Sequence, residues 1–249
     1  MTVQTDPIPT EGTAWSGWNP EALKQNSDRF EGRPPEELLR WGLETFAPDI
    51  ALATALGPED VVLMHLISQI RPETTMFYLD TDVLFAETYV LRDELEARLD
   101  VRFTRVPASL SLEQQASEHG EALWSHDPNL CCQLRKVVPL RRFLASQRAW
   151  ITGIRRDQTP FRANAPLVEW DDANGLVKFN PLASWTSEQV WAHIYGHDLP
   201  YNPLHDQDYP SIGCIPCTRS VAPGEDPRAG RWDGLGKTEC GIHLQLPET

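Results

Sequence analysis

The chain has 249 residues, of which 41% are hydrophobic and 23% are charged, and such a composition is typical of a globular protein with a sizeable core. Its formal net charge of −14 argues against non-specific binding to nucleic acid or to an anionic membrane surface. No apolar run reaches the roughly 18 residues of a transmembrane helix, and the first ten residues lack the features of a secretory signal. We therefore expect a cytoplasmic protein.

Hydrophobic periodicity predicts strands that alternate with helices along most of the chain. In chain order we expect a helix over 34–46, a strand over 49–56, a helix over 59–70, a strand over 74–80, a helix over 84–99, a strand over 101–106, a helix over 131–146, a strand over 149–154, a hairpin around 171–175 and a helix over 186–197. This alternation predicts an α/β fold with a doubly wound, mostly parallel sheet. Pro139 is expected to kink the helix that contains it.

Composition also predicts how the chain is divided. Residues 1–33 are rich in Pro, Gly, Thr and Asn and are expected to form a loose N-terminal arm. Residues 34–200 would form the α/β domain. Residues 201–249 are dominated by Pro, Gly and polar residues, so we expect a loop-rich C-terminal segment without a core of its own.

Polar residues follow three of the predicted strands. Ligands of open parallel sheets bind at the carboxyl ends of the strands, where the strand order reverses. The candidate residues at these ends are Gly57 with Glu59, Asp80 with Thr81, and Arg155 with Arg156. Each group suits a nucleotide.

Positive charge is concentrated in one part of this acidic chain. Residues 131–162 contain eight Lys and Arg residues and a single acid, Asp157. The stretch is consistent with a site for a small anion, although a solvated helix face plus loop is the better explanation for any single one of these residues.

The five cysteines predict a metal site with one thiol left over. They are Cys131, Cys132, Cys214, Cys217 and Cys240. An odd number in a chain expected to be cytoplasmic argues against a disulfide framework. Four thiolates suit zinc or an iron–sulfur cluster. Because two adjacent cysteines cannot easily chelate one tetrahedral ion, whereas a cubane takes each thiolate at a different corner, the spacing favours a [4Fe–4S] cluster over zinc.

Three segments then resemble a known family. "CC…GCIPCTRSV", "GEDPRAGRW" and "KTECGIH" closely resemble signature segments of the assimilatory adenylyl-sulfate reductases, the iron–sulfur branch of a family that also includes phosphoadenylyl-sulfate reductases. The resemblance extends over roughly residues 45–243. It implies an ATP-pyrophosphatase-like nucleotide-binding fold of the adenine nucleotide alpha hydrolase type. It also implies thioredoxin-dependent reduction of adenosine 5′-phosphosulfate to sulfite and AMP.

The resemblance also implies roles for individual residues. Cys131, Cys132, Cys214 and Cys217 match the ligands of the [4Fe–4S] cluster. Cys240 matches the catalytic nucleophile, although its local sequence alone is equally compatible with an inert tail cysteine. Lys136 matches a lysine close to the cluster and the substrate, and Arg228 and Arg231 match arginines that contact the sulfated nucleotide.

The implied chemistry agrees with the residues present. The cations that could screen the phosphosulfate are Lys136, Arg155, Arg156, Arg162, Arg228 and Arg231. Attack by Cys240 would leave an S-sulfocysteine, which a second thiol must cleave. Since four cysteines would hold the cluster, that thiol must come from outside, from thioredoxin or a glutaredoxin.

Two positions depart from the family pattern. Ala55 stands in the phosphate loop where the family often has serine, so this loop would rely on Thr54 and backbone N–H groups. Asp82 replaces the glycine of "LDTG", which puts in question how closely the backbone approaches a nucleotide there.

Several alternatives stay open at this point. The substrate could be the 3′-phosphorylated nucleotide, or both nucleotides. Other classes are a zinc-stapled ATP-pyrophosphatase-type enzyme that adenylylates its substrate, and a non-catalytic iron–sulfur sensor. The oligomeric state is undetermined, a homo-oligomer included. His65 and His193 fall within helical apolar patterns, where packed histidines are expected rather than ligands.

Overall fold

The computed structural model describes residues 19–237 and 239–243. These residues form six strands: β1 (Ile50–Thr54), β2 (Thr75–Asp80), β3 (Phe103–Pro107), β4 (Ala149–Ile151), β5 (Val168–Asp171) and β6 (Leu176–Phe179). They also form α1 (Pro20–Phe30), α2 (Pro35–Phe46), α3 (Pro58–Ile70), α4 (Ala86–Leu99), α5 (Leu112–His119), α6 (Leu123–His126), α7 (Pro128–Cys132), α8 (Val138–Leu144) and α9 (Ser187–Gly196).

The strands form one sheet in the order β3-β2-β1-β4-β6-β5. All neighbours are parallel except β5 and β6, which form the predicted antiparallel hairpin. The chain moves outward from β1 through β2 to β3 and then returns to β4 on the other side of β1, so the strand order reverses between β1 and β4. The predicted doubly wound, mostly parallel α/β fold is confirmed.

Alternating side chains of the strands build a core on each face of the sheet. Leu52 of β1 and Met76 of β2 pack into the larger cluster, together with residues of α2, α3 and α9. Their neighbours Ala51 and Phe77 point the other way and pack with residues of α8. This period of two follows from the pleat of the strand, and burial of both faces accounts for the nearly continuous apolar sequences of β1 and β2.

The loose arm predicted for residues 1–33 is wrong for its second half, because residues 20–30 form α1. Asn19 caps this helix by accepting a hydrogen bond from the backbone N–H of Ala22 at 2.7 Å, and Pro20 occupies the first turn. Both residue types break helices internally but favour helix starts. Leu23 and Phe30 are buried in the core. Residues 1–18 lie outside the described residues, as do Thr238 and residues 244–249 of the C-terminal segment.

The helix predicted over residues 131–146 is interrupted, but ahead of Pro139. The chain passes from α7 through a π-helical turn, Gln133–Val137, into α8. Pro139 lies in the first turn of α8, where a missing N–H is tolerated. The carbonyl four residues earlier, with which its ring would clash in a regular helix, belongs to Arg135 in the π turn. The irregular turn therefore accommodates the proline, and it also carries Lys136.

After α9 the described chain contains only short 3₁₀ turns, at Pro203–Gln207 and Ile215–Cys217. An isolated bridge between Leu84 and Cys214 ties this segment to the loop that follows β2. Within the described residues, none of the helices has the length and apolar character needed to cross a bilayer.

Phe179 at the end of β6 provides a test of this core. Its ring is fully buried, lies 5.7 Å from the rings of both Trp41 and Phe46, and leaves so little room that a Cβ at Gly42 would lie 3.0 Å from it. We expect Phe179→Ala to lower the free energy of unfolding by about 3–5 kcal/mol, because it removes apolar burial and leaves a cavity. Urea denaturation followed by tryptophan fluorescence would measure the change. The matched control, Phe161→Ala at a 59% exposed position, should change it by less than about 0.5 kcal/mol, and equal effects would contradict this view of the core.

Candidate active site

A cavity of about 780 Å³ lies at the carboxyl ends of β1 and β4, where the strand order reverses. This is the position at which open α/β sheets bind ligands. The residues predicted for the site that line this cavity are Thr54, Gly57, Glu59, Thr81, Lys136, Arg155, Arg162, Arg228, Arg231 and Cys240.

The turn between β1 and α3 is organised around the carboxylate of Asp60. Its Oδ2 accepts hydrogen bonds from the backbone N–H of Ala55 (2.8 Å) and of Gly57 (3.1 Å) and from the hydroxyl of Thr54 (3.2 Å). Burial raises the pKa of Asp60, and these donors oppose that shift. Thr54 in turn accepts from the N–H of Leu56 at 2.7 Å. The turn thus relies on Thr54 and backbone amides, as the sequence predicts, but their shared partner is a carboxylate of the chain itself.

Gly153 allows this turn to approach β4. A Cβ at Gly153 would lie 2.5 Å from Oδ1 of Asp60 and 3.0 Å from Cβ of Glu59. Only a residue without a side chain therefore fits between the two walls of the cavity.

The candidate residues Glu59 and Arg155 are ion-paired with each other across the cavity wall. Arg155 also pairs with Asp157 at 2.9 Å, and the side-chain amide of Gln158 donates to Glu59 at 3.1 Å. Both residues are thus held in place before any ligand binds.

Two candidates do not line the cavity. Asp80 accepts hydrogen bonds from the Tyr89 hydroxyl at 2.7 Å and from Arg105 at 2.6 Å, which fix the end of β2. Arg156 forms a bidentate pair with Glu31, at 2.6 and 2.9 Å. Each was chosen because it ends a strand, but a neighbouring residue of opposite charge turns its side chain away from the cavity.

Asp82 takes the backbone conformation that a glycine would take in the family pattern. Its φ is +57°, a region that aspartate tolerates better than most residues. Its carboxylate pairs with Arg105 at 3.1 Å and with the fully buried Arg135. Arg135 also donates to the carbonyl oxygen of Thr81 at 2.7 Å. The replacement is therefore accommodated by a pair of arginines that fix the loop after β2.

Four of the cysteines converge beside this cavity. Cys131 and Cys132 at the end of α7, together with Cys214 and Cys217, line a second, smaller cavity. Burial and the neighbouring thiols raise the pKa of both Cys131 and Cys217 to about 11. Four cysteines grouped in this way are a donor set that a bound cationic centre would hold as thiolates.

No three of the four sulfurs lie as close together as in a tetrahedral zinc site. In such a site, with bonds of about 2.3 Å, the sulfurs lie roughly 3.8 Å apart. Among the residues that the structure describes, no three cysteines place their sulfurs within 4.8 Å of one another.

Lys136 lies between the four cysteines and the larger cavity, and it lines both. Burial opposes its charge, but the neighbouring Cys214, Cys240 and Cys132 outweigh burial and raise the pKa of Lys136 above its usual value. In return, burial opposes ionisation of Cys214, while Lys136 and a hydrogen bond with Thr81 (3.2 Å) lower the net pKa of that thiol. One ammonium group therefore acts on both sets of sulfurs.

Cys240 is held at the cavity by the residue before it. The carboxylate of Glu239 is only 7% exposed and pairs with Arg162 at 2.7 Å and with Arg228 at 3.5 Å. On the other side of Cys240, the ring of His243 stacks on Trp150, with centroids 5.8 Å apart. Burial, with the charge of Lys178 nearby, lowers the pKa of His243 well below its usual value, so this ring is neutral at pH 7. The tail that the sequence describes as loose is thus docked, and its anchor was not among the predicted site residues.

Arg231 reaches the cavity from the C-terminal segment. Its guanidinium donates to the Ser211 hydroxyl at 3.1 Å and to the carbonyl oxygen of Ile212 at 3.2 Å, and it lies over the ring of Trp232. A Cβ at Gly213 would lie 2.2 Å from this guanidinium. The positive charge is therefore fixed by neutral partners and stays available to an anion.

Comparison with known proteins agrees with this geometry. Residues 49–220 match the family described as the phosphoadenosine phosphosulfate reductase domain. A relative from Salinibacter ruber, named adenosine 5′-phosphosulfate reductase, is 51% identical over 92% of this chain and 91% of that protein. A relative from Gloeobacter violaceus, named phosphoadenosine 5′-phosphosulfate reductase, is 45% identical over 91% and 95% of the two proteins. The crystal structure of phosphoadenylyl-sulfate reductase from Candida auris, a phosphate complex, superposes with a TM-score of 0.70 at 30% identity and covers 82% of this chain and 98% of that one.

The Glu239 anchor provides a second test. We expect Glu239→Gln to free the tail, because it removes the charge that two buried guanidinium groups face, and loss of one partner of a buried pair costs about 3–5 kcal/mol. The alkylation rate of Cys240 by iodoacetamide, measured by peptide mass spectrometry, should rise at least about tenfold, since each 1.4 kcal/mol of easier opening is a factor of ten.

The control for this experiment is Glu225→Gln, which removes an ion pair with Arg219 in the same segment but on the surface. Surface ion pairs contribute little to stability, so Cys240 of this variant should be alkylated at the same rate as in the parent protein. Equal rates for Glu239→Gln and the parent protein would show that the tail does not depend on this anchor.

Proposed function

This chain belongs to the phosphoadenosine phosphosulfate reductase domain family, and on that premise we propose that it reduces adenosine 5′-phosphosulfate to sulfite and AMP, with thioredoxin or a glutaredoxin as electron donor. The observation that carries the proposal is the position of Cys240. Its thiol lines a cavity that is rich in fixed cations, and it stands apart from the four cysteines that converge nearby.

The cavity provides what binding of a sulfated nucleotide needs. Arg231 and Lys136 present positive charge to the phosphosulfate. Arg162 and Arg228 can also bind it once the Glu239 carboxylate moves away from them. The turn around Thr54 and Gly57 forms the wall of the cavity at the start of α3.

The proposed reaction begins with attack by the Cys240 thiolate on the sulfur of the substrate. A sulfur–sulfur bond forms, the bond between that sulfur and the bridging oxygen breaks, and AMP leaves with the electron pair. Lys136, whose charge faces Cys240, stabilises the thiolate before attack and the anionic groups during it. The product is AMP together with an S-sulfocysteine at Cys240.

A dithiol protein then completes the cycle. One of its thiolates attacks the Cys240 sulfur, sulfite leaves, and a mixed disulfide forms; its second thiol resolves this bond and restores the Cys240 thiol. The donor is oxidised to a disulfide by two electrons, and sulfur is reduced by two. Because the donor must reach Cys240, the Glu239 anchor has to open in every cycle. Free thiols of this kind persist in a reducing compartment, and we place the reaction in the cytoplasm.

We further propose that Cys131, Cys132, Cys214 and Cys217 hold a [4Fe–4S] cluster. When bound, it would hold the four sulfurs as thiolates and link α7 covalently to the C-terminal segment, without transfer of electrons to the substrate. The chain's own contribution is Lys136 and Thr81, which contact the ligand Cys214 from the side of the cavity.

Mass spectrometry would test the central step. After incubation with adenosine 5′-phosphosulfate and no reductant, we expect a sulfonate adduct on Cys240, and none after incubation with AMP. Cys240→Ser should lose sulfite production by at least about 1,000-fold, because removal of a covalent nucleophile removes the step itself. The absorption of the iron–sulfur centre should be unchanged in that variant, which controls for folding. Sulfite production that survives the substitution would overturn the proposal.

The 3′-phosphorylated nucleotide is the second candidate substrate, because a relative that is 45% identical carries the name phosphoadenosine 5′-phosphosulfate reductase. We expect kcat/KM for adenosine 5′-phosphosulfate to exceed that for the 3′-phosphorylated nucleotide by at least about tenfold, a difference of roughly 1.4 kcal/mol in transition-state stabilisation. Steady-state rates with the same reductant would measure both values. The opposite ratio would show that the substrate is misassigned while the role of Cys240 still holds.

A further inference from the structure

Three histidines outside the cavity bring their rings together between α3 and α9. His65 lies on α3, His193 lies in the last turn of α9, and His197 is the residue that caps the C-terminal end of α9. One ring nitrogen of each lies within 4.8 Å of those of the other two. The sequence pattern predicted packed histidines at 65 and 193, but it could not show that a third ring joins them.

The closest pair has the spacing of two ligands of one ion. Nδ1 of His65 lies 3.0 Å from Nε2 of His193. Two nitrogens bound to the same ion through bonds of about 2.0–2.1 Å lie roughly 2.9–3.4 Å apart in octahedral or tetrahedral geometry. The ring of His197 lies 4.2 Å from that of His193 and 4.7 Å from that of His65, centroid to centroid, and one of its nitrogens lies within 4.8 Å of theirs.

The hydrogen bond made by His197 prepares it as a ligand. Its Nδ1 lies 2.9 Å from the carbonyl oxygen of His193, and because that oxygen only accepts, Nδ1 carries the proton. Nε2 is then left with a free lone pair. Histidines that bind metals generally donate their other N–H to a carbonyl or a carboxylate in this way. The Gln69 side chain, 2.8 Å from Nε2 of His65, can hold that ring similarly through its carbonyl oxygen after rotation of the amide.

A nearby carboxylate adds a second, independent observation. Oε2 of Glu36, on α2, is buried and has no hydrogen-bond partner among the residues that the structure describes. Its negative charge acts on His65. A buried carboxylate oxygen without a hydrogen-bond partner is costly, and a bound cation would compensate for it.

We propose that His65, His193 and His197 bind a divalent transition-metal ion, with Zn²⁺ as the natural occupant, at a site separate from both the cavity and the four cysteines. Neutral imidazole is a preferred ligand of such ions. The exposed edge of His197 gives the ion access from solvent. Because Ser187, Trp191 and Tyr195 of α9 line the cavity, as does the start of α3, the ion would tie together two helices that border the active site.

Cobalt is a suitable probe, because its absorption distinguishes nitrogen from sulfur ligands. The experiment uses cluster-bearing protein with the Cys240→Ser substitution, so that Cys240 offers no competing thiol. We expect one Co²⁺ per chain, with d–d bands but without thiolate-to-cobalt charge-transfer absorption, and displacement by Zn²⁺. Because the readout is metal binding, failure here leaves the proposed reductase activity untouched.

Single substitutions assign the site. His193→Ala and His197→Ala should each weaken Co²⁺ binding by at least about 10–100-fold. Mutation of a residue that only hydrogen-bonds to a metal ligand already lowers metal affinity by about this factor. His119→Ala, on α5, is the matched control and should bind as the parent does. Since His197 is exposed, its variant keeps the fold, which circular dichroism would verify. Absence of Co²⁺ binding, an unchanged affinity in His197→Ala, or thiolate charge-transfer bands would each overturn the proposal.

Discussion

The positive charge of Lys136 is the interaction on which the rest of the site depends. It lies in the π-helical turn directly after Cys131 and Cys132, so the turn that accommodates Pro139 also directs this side chain to the boundary between two cavities. From there it lowers the pKa of Cys214 and faces Cys240. Without it, the burial and neighbouring thiols that raise the pKa of Cys217 would lose one of the charges that oppose them.

Most of the fold could be predicted because its signals are local. The apolar runs of β1 and β2 and the periodicity of α3 and α9 record burial directly in the sequence, and the observed bounds differ by only a few residues. Helix α1 was missed because its start, Asn19 and Pro20, has the composition of coil, whereas its stability comes from Leu23 and Phe30 packing against distant parts of the chain. Local propensity carries no record of such contacts.

The features of the site likewise separate into those that the sequence could predict and those that it could not. Spacing alone grouped the four cysteines, and the family resemblance singled out Cys240, whereas the sequence held no sign that Glu239 would pair with Arg162, 77 residues away. Asp80 and Arg156 were placed in the site because they end strands, but their partners Arg105 and Glu31 turn them elsewhere. Which of several charged side chains faces a cavity is decided by such long-range pairs, and a single sequence does not contain them.

The docked carboxylate of Glu239 has a consequence for how tightly any ligand can bind. It is tethered to the guanidinium groups that it occupies, so dilution never removes it and its local concentration stays fixed. An incoming anion that needs Arg162 or Arg228 therefore competes with the Glu239 carboxylate. Its observed dissociation constant includes the equilibrium for displacing that carboxylate. Modest resting affinity and a Cys240 thiol held at the cavity are then two results of the same side chain.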